Sequence, residues 1–534
     1  MKKLILLLVM SITLLLSSCS LFDYDDILQQ GYDNLTLEET VVAYDFELPQ
    51  VVLAGFLPLT VKWESSSSLI TINGNVAKVD FVSNKEKDTE VTLTATLSLL
   101  TESITKEFIV TVPKYDLGEI GNVTANFGNR LDKDGPMTEG CLPSTGNPKV
   151  LVVPINLDST KKTDKLLSDI NIAFNGTSEQ TGFESVKSYY KKSSYGKLDI
   201  EFNVMSNWFT PKYNKSFYDN YFDNKNSADG STLLLQEVLS HYDASIDFND
   251  YDSNNDGYID AVWLVYNCDV NYKDSSSVYW AYVYWDYSDK TYDGKDAYYY
   301  ATGGTDFMYP TKEEAGTYDP TGITVDAHTF IHETGHLLGL DDYYDYFEYK
   351  GAKGGLYGAD MMDSNIGDHG AINKLLLGWI EPKIISGAGE ITVDLLPFAT
   401  SGECLIVADR KLTSIYDSYY IIEFYTNDGL NSRDKLFDSY GIKVTKINAE
   451  KNIVNGVVEF NNGDYQCGFK YDNSDEDKLF IDLICDGAVE YKGYSVSSKV
   501  LFVESESLNR EDIFFKLMVN TCNESGANIT ISIL

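Results

Sequence analysis

Hydrophobic and polar residues follow three rhythms along this chain, and each predicts a different kind of element. Between 36 and 114 the period is two. Val91, Leu93, Ala95 and Leu97 alternate with Thr92, Thr94 and Thr96, and Phe108, Val110 and Val112 repeat the pattern just before Pro113. Successive side chains of a strand point to opposite faces, so these runs are strands with one face buried. With Trp63 on an earlier strand and the turn signal Asn73-Gly74, they predict a small β-sandwich. The second rhythm is a nearly unbroken apolar run through Val150, Leu151, Val152, Val153 and Ile155. Such a run suits a strand covered on both faces, in the sheet of an α/β domain. A helix is predicted over 185–195 (SVKSYYKKSSY), then Gly196 and a strand alternating through Leu198, Ile200, Phe202 and Val204. Residues 278–287 and 292–300 are rich in aromatics and predict a hairpin whose aromatic side chains are partly buried. From about Gly387 onward the period of two returns, as in 419–424. The pattern therefore predicts a multidomain chain. An N-terminal β-sandwich spans 36–114, a central α/β domain 115–385, and a β-rich C-terminal domain 386–534.

The third rhythm carries chemistry. In His332-Glu333-Thr334-Gly335-His336 the two histidines are one helical turn apart, so both rings leave one face and can share a metal ion. Glu333 can reach a water on that metal without binding the ion itself. Gly339 accepts the backbone angles that end a helix and turn the chain, which would carry Asp342 back as a third ligand. Two imidazoles and one carboxylate, with a fourth position open, is the plan of a catalytic zinc site. His328 lies about 6 Å further up the axis, too far to share the ion, and is expected to be structural.

This stretch resembles the metzincin metallopeptidases, whose extended motif is HExxHxxGxx followed by His or Asp. The Asp form, continuing Asp342-Tyr343-Tyr344-Asp345, looks most like the immune inhibitor A family of secreted bacterial peptidases. The resemblance implies a zincin-type catalytic domain. It also implies a methionine turn beneath the zinc, for which Asp360-Met361-Met362-Asp363 offers two candidates, Met362 being favoured. The helix and strand over 185–204 and the segment SYYIIEFYTNDGLN are similar to the same family. Asp341 departs from the Pro usual at that position, which should loosen the turn without removing a ligand. Zinc held by His332, His336 and Asp342 would activate a water for which Glu333 is the general base, and the expected reaction is hydrolysis of peptide bonds in protein substrates. The rival from another class is an inactive surface adhesion or binding protein on the same fold. Intact Glu333 counts against it.

A second cation is expected at Asp252, Asn254, Asp256, Asp260 and the carbonyl of Tyr258, where oxygen groups alternate around Gly257 as in the first half of a calcium loop. The place of the closing Glu of an EF-hand is taken by Trp263, so the loop is not that motif. His369, just ahead of a helix predicted over 371–377, is expected either to approach the substrate or to cap that helix.

Composition narrows the setting. The chain has 534 residues, too many for one core, and a formal charge of -39, which would repel nucleic acid and anionic lipid. Lys2 and Lys3 precede an apolar run, 4–16, too short to span a bilayer comfortably, which reads as an export signal. Leu16-Ser17-Ser18-Cys19 resembles a bacterial lipobox. That resemblance implies cleavage after residue 18, lipid on Cys19, and a tether over 19–35 lifting the folded part off the outer face of the cell membrane. The sandwich resembles bacterial immunoglobulin-like domains and is expected to act as a spacer. Six further cysteines, Cys141, Cys268, Cys404, Cys467, Cys485 and Cys522, form no CxxC pair; export permits disulfides among them, with connectivity open.

Overall fold

The structure is a computed structural model. It describes residues 24–37, 40–42, 46–80, 83–84, 87–114, 121–123, 140–221, 229–270, 279–288, 290–309, 325–344, 356, 358–410, 412, 415, 417–434, 436–437, 439–448, 451–454, 457–460, 479–485 and 500–533. The signal 1–18, Cys19 and Cys467 lie outside them. Two compact units emerge: 1–118 with 451–459, and 119–450 with 460–534.

The first unit opens with helix α1 (Tyr24–Asn34) and continues through seven strands: β1 (Phe46–Glu47), β2 (Val51–Ala54), β3 (Leu57–Ser65), β4 (Ile70–Asn73), β5 (Val76–Val79), β6 (Thr89–Leu99) and β7 (Glu102–Val112). They make a four-stranded antiparallel sheet in the order β2-β3-β6-β7 and a three-stranded one in the order β1-β5-β4. The predicted alternation is met residue by residue. Leu59, Val61 and Trp63 of β3, and Val91, Leu93, Ala95 and Leu97 of β6, join one buried core with Phe46, Ile70 and Ala77. The expected tether does not extend to residue 35. From Tyr24 the chain is helical, because Leu28 is buried in this core and Gly31 sits against Leu59 and Leu97, where a Cβ would come within 2.3 Å of Leu59 Cδ1.

The second unit begins with β8 (Gly121–Val123) and β9 (Lys149–Ile155), followed by α2 (Asp164–Asn175), α3 (Val186–Ser193), β10 (Glu201–Val204), α4 (Asp229–Tyr242), β11 (Ala261–Tyr266), β12 (Tyr282–Trp285) and β13 (Tyr299–Gly304). Five of these strands form a sheet in the order β10-β9-β11-β13-β12, parallel except for the antiparallel edge strand β12. The pleat gives the central strands β9 and β11 two apolar faces. Leu151, Val153, Val262 and Leu264 pack with Leu234, Leu235, Val238 and Leu239 of α4. Trp263 meets Phe174 of α2 and Phe330 on the opposite face, with ring centroids 5.4 and 5.3 Å away. The two aromatic stretches do pair through β12 and β13, with Tyr284 opposite Tyr300, but not as one simple hairpin: between them Tyr292 pairs with Lys295 in a two-stranded hairpin of its own.

Next come the helices around the cluster: α5 (His328–Leu337), α6 (Met361–Ser364) and α7 (Ala371–Leu376). The strands of the two later sheets are β14 (Lys383–Ser386), β15 (Gly389–Leu395), β16 (Cys404–Val407), β17 (Ser418–Tyr425), β18 (Gly441–Asn448), β19 (Ile481–Leu483), β20 (Ser507–Leu508), β21 (Phe515–Asn523) and β22 (Gly526–Ile533). They confirm a β-rich C-terminal region but not its separation as a domain. The boundary expected at 385/386 falls inside β14, which pairs with β16 on one side and with β8, from before the α/β sheet, on the other. The six-stranded sheet β19-β18-β17-β16-β14-β8 packs on the four-stranded sheet β15-β22-β21-β20 through Leu405, Ile422, Val444, Phe515 and Ile529. Among the described cysteines, Cys268, Cys404, Cys485 and Cys522 are thiols rather than disulfides.

Candidate metal centre

Helix α5 carries His332, Glu333 and His336 and is almost wholly buried. Its first turn is served by Asp326, which accepts from the backbone N–H of His328 at 2.9 Å. Its end is set by Gly339 at φ +93°, and the N–H of Leu340 returns to the carbonyl of Gly335 at 3.1 Å. Glycine is suited to that left-handed turn, and the turn reverses the chain. Asp342 thereby comes back onto the helix. Its Oδ1 lies 2.9 Å from His332 Nε2 and 3.2 Å from His336 Nε2, and the two Nε2 atoms are 3.1 Å apart. Among the described residues this is the one group of three or more His, Cys, Asp or Glu side chains that converges closely enough for a metal.

The outer nitrogens set which ring atoms could serve as ligands. His332 Nδ1 donates to the carbonyl of Met361 at 2.9 Å, and His336 Nδ1 donates to the carbonyl of Leu340 at 2.7 Å. A ring whose Nδ1 carries the proton presents a lone pair at Nε2. Two such lone pairs and a carboxylate oxygen would repel one another at these separations unless a proton or a metal ion lay among them. Ligand atoms placed tetrahedrally at 2.0–2.2 Å from zinc are about 3.3–3.6 Å apart, slightly wider than the spacing here. The donor set fits Zn2+ in chemistry and in reach. Charge is favoured at the same place: burial opposes charge on His336, but Asp342 outweighs it and pushes the ring up to about 10. His332 is raised in the same way, while the two rings hold Asp342 well below the usual carboxylate range against the effect of burial.

Glu333 is also buried, and loss of water raises its pKa above the ordinary carboxylate value, although the neighbouring histidines pull the other way. A carboxylate so raised is a better proton acceptor. Tyr344 was not anticipated: its hydroxyl donates to Asp342 Oδ2 at 2.9 Å, holding the outer oxygen while Oδ1 faces the rings. Met362 lies under the helix, its Sδ so close to Gly335 that a Cβ there would sit 2.5 Å away. Asp360 organises this floor. It accepts from the N–H groups of Met362 (2.8 Å) and Gly370 (2.6 Å) and from Asn373 Nδ2 (2.9 Å), and Asn373 in turn accepts from Tyr343 (2.5 Å). The Asp before Met-Met was a readable capping signal; the partner Asn373 was not.

Three other expectations fare differently. His328 is kept apart from the cluster, stacked on Phe183 at 4.6 Å with Nδ1 2.6 Å from Asp326 and Nε2 3.3 Å from Asp434. Its structural role was legible, its distant partner Asp434 was not. His369 neither approaches a substrate nor caps a helix. It is fully buried among Tyr189, Tyr190 and Trp379, and the N–H of Ala371 at the start of α7 is served instead by Glu423 at 3.3 Å.

The third is the expected calcium loop, whose carboxylates are engaged by donors of the chain itself. Asp252 is paired with Lys295, and its carboxylate also accepts from the N–H groups of Asp256 and Gly257 at 3.0 and 3.2 Å. Asp260 accepts from the N–H groups of Ser253 and Lys149, Asp256 from that of Tyr258, and Asn254 donates to Asp256. The repulsion that argued for calcium is relieved by an ammonium group and by backbone donors. Burial disfavours the charge on Asp252, yet Lys295 and Gly257 still bring its pKa below the usual value.

Comparison with known proteins bears on the first unit. A family model described as an atrophied bacterial Ig domain matches residues 26–115. This is the sandwich together with α1 from its third residue, so the N-terminal unit contains an immunoglobulin-like domain. No curated protein matches the chain.

Proposed function

We propose that this protein is a zinc-dependent endopeptidase, of the zincin type and similar to immune inhibitor A, acting on protein substrates at the outer face of the cell membrane. The observation that carries the reading is the convergence of His332 Nε2, His336 Nε2 and Asp342 Oδ1 within 3.2 Å, next to a buried Glu333. When bound, zinc would supply a water acidified to a pKa of about 7 and a Lewis acid for the developing oxyanion. The chain's own part is positional and proton-handling. Met361 and Leu340 fix both rings in one tautomer, and Tyr344 orients the carboxylate. Glu333 takes the proton of the attacking water and returns it to the departing amine nitrogen. Met362 supports the helix from below, in the place of a methionine turn. Lipid on Cys19 would hold the enzyme at the membrane, and the charge of -39 argues against nucleic acid as a partner.

Two assays on purified protein test the reading. Casein should be cleaved, cleavage should stop with a chelator, and zinc should restore it. Glu333→Gln should retain zinc while losing hydrolysis by about 100-fold or more. Zinc binding without hydrolysis of casein or a mixed peptide library would instead favour the inactive adhesion protein.

A further inference from the structure

Two hairpins of the immunoglobulin-like unit end side by side, and each ends in an apolar residue. Ala54 pairs with Leu57, so β2 and β3 are joined by Gly55-Phe56 alone; Leu99 pairs with Glu102, so β6 and β7 are joined by Leu100-Thr101. Antiparallel register between β3 and β6, with Thr60 opposite Ser98, puts both tips at the same end of the sheet. They are separated by two strand spacings, about 10 Å. Two-residue hairpin turns favour Asn, Asp and Gly. Here Phe56 is 81% exposed, and Leu100 is 57% exposed at φ +56°, a conformation that a leucine rarely adopts. Of the six large apolar residues exposed in the described part of this unit, Val51, Leu53, Phe56 and Leu100 lie on the edge strand β2 or at the two tips. Neither tip carries Lys or Arg, and Glu102 borders the second, so nothing here would draw the surface to anionic groups.

We propose that these two tips dip into the interface of the lipid bilayer, as an apolar second attachment beside the lipid on Cys19. The proposal rests on the reading of Cys19 as lipid-bearing. Chain length selects the bilayer as occupant. Helix α1 lies against the tip hairpin: Asn34 donates to the carbonyl of Leu53 at 2.8 Å, and Gln30 Oε1 lies 3.7 Å from the position of a Cβ on Gly55. Tyr24 is about 9 Å up the helix from Gln30, and the five residues back to Cys19 reach at most about 17 Å. A lipid on Cys19 therefore keeps Phe56 and Leu100 within reach of the membrane surface. Single lipid anchors bind reversibly, and a second signal prolongs attachment.

The test uses the full lipidated chain in phosphatidylcholine vesicles, with Phe56→Trp, Leu100→Trp and, as a control on the exposed face of β3, Lys62→Trp. Brominated acyl chains should quench the emission added at 56 and 100 at least twofold more than that added at 62. Mass spectrometry of the vesicle-bound protein reports the anchor separately. Equal, weak quenching at all three sites in protein that carries the lipid would overturn the tip proposal while leaving the anchor intact. Protein without lipid that fails to float with vesicles would remove the anchor reading and the proposal with it. A concentration-dependent blue shift at 56 and 100 without vesicles would assign the tips to a second copy of the chain instead.

Discussion

Each ring in the cluster has one nitrogen committed to a carbonyl, and that commitment leaves the other with the lone pair that the proposed metal site needs. The hydroxyl of Tyr344 does the same for Asp342. Replacing it, Tyr344→Phe, should weaken zinc binding about 10- to 100-fold, the usual cost of losing a partner behind a ligand, with the helix unchanged. Competition with a fluorescent chelator measures this; unchanged affinity would leave Tyr344 no part in holding the carboxylate. His328 makes a pH-dependent prediction. Burial opposes its charge, yet Asp326 and Asp434 outweigh burial and push it up to about 10. A folded pKa above the ordinary 6.5 means that its stabilisation is complete below about 6.5 and fades as pH rises through 10. His328→Leu strands the two carboxylates and should cost about 3–5 kcal/mol at pH 6, with the gap narrowing towards pH 10. Denaturant titrations at both pH values give the comparison. The pair at four-residue spacing, the Gly and the Asp were all legible in the sequence, because one helical turn and one reversal are local. Asp434 is 106 residues from His328 and only the fold brings it there.

At the scale of elements, α5 is held from both sides, by Trp263 and Phe174 packing edge-on or tilted against Phe330 and by Met362 beneath Gly335. Gly335→Ala would put a Cβ 2.5 Å from Met362 Sδ, so the floor must move; overpacking of that kind should cost about 1–3 kcal/mol. Pairing it with Met362→Ala, which makes room, should recover part of the loss, and thermal melts of the two variants decide whether the contact is as close as described. Sequence periodicity found α3, β9, β10 and the alternating strands of the sandwich, where burial on one face or two leaves a plain imprint. It failed where charges were satisfied from a distance. In the acidic loop 252–260 the sequence shows the carboxylates but not Lys295, 43 residues from Asp252, which pairs with it. His369 looked available for chemistry because nothing nearby in sequence announces Tyr189, Tyr190 and Trp379 around it.

For the molecule as a whole, a first unit with its own core and a second holding the cluster should unfold in two calorimetric transitions. On the proposed reading zinc binds only the second, so adding it at about 100 times its dissociation constant should stabilise that transition alone by about 2.7 kcal/mol, and a chelator should reverse the shift. A boundary at 385/386 was a fair reading of composition, since alternation resumes there. It missed that β8, laid down before the α/β sheet, returns as the edge of the later one. No local pattern records such a pairing. The central claim, that two rings and one carboxylate hold a single catalytic zinc ion, is tested most directly by elemental analysis of the wild type, Glu333→Gln and His336→Ala after dialysis against dilute zinc. The account predicts about one zinc per chain in the first two and less than about a tenth of that in the third. Wild type free of zinc, or His336→Ala as fully loaded as the wild type, would contradict it.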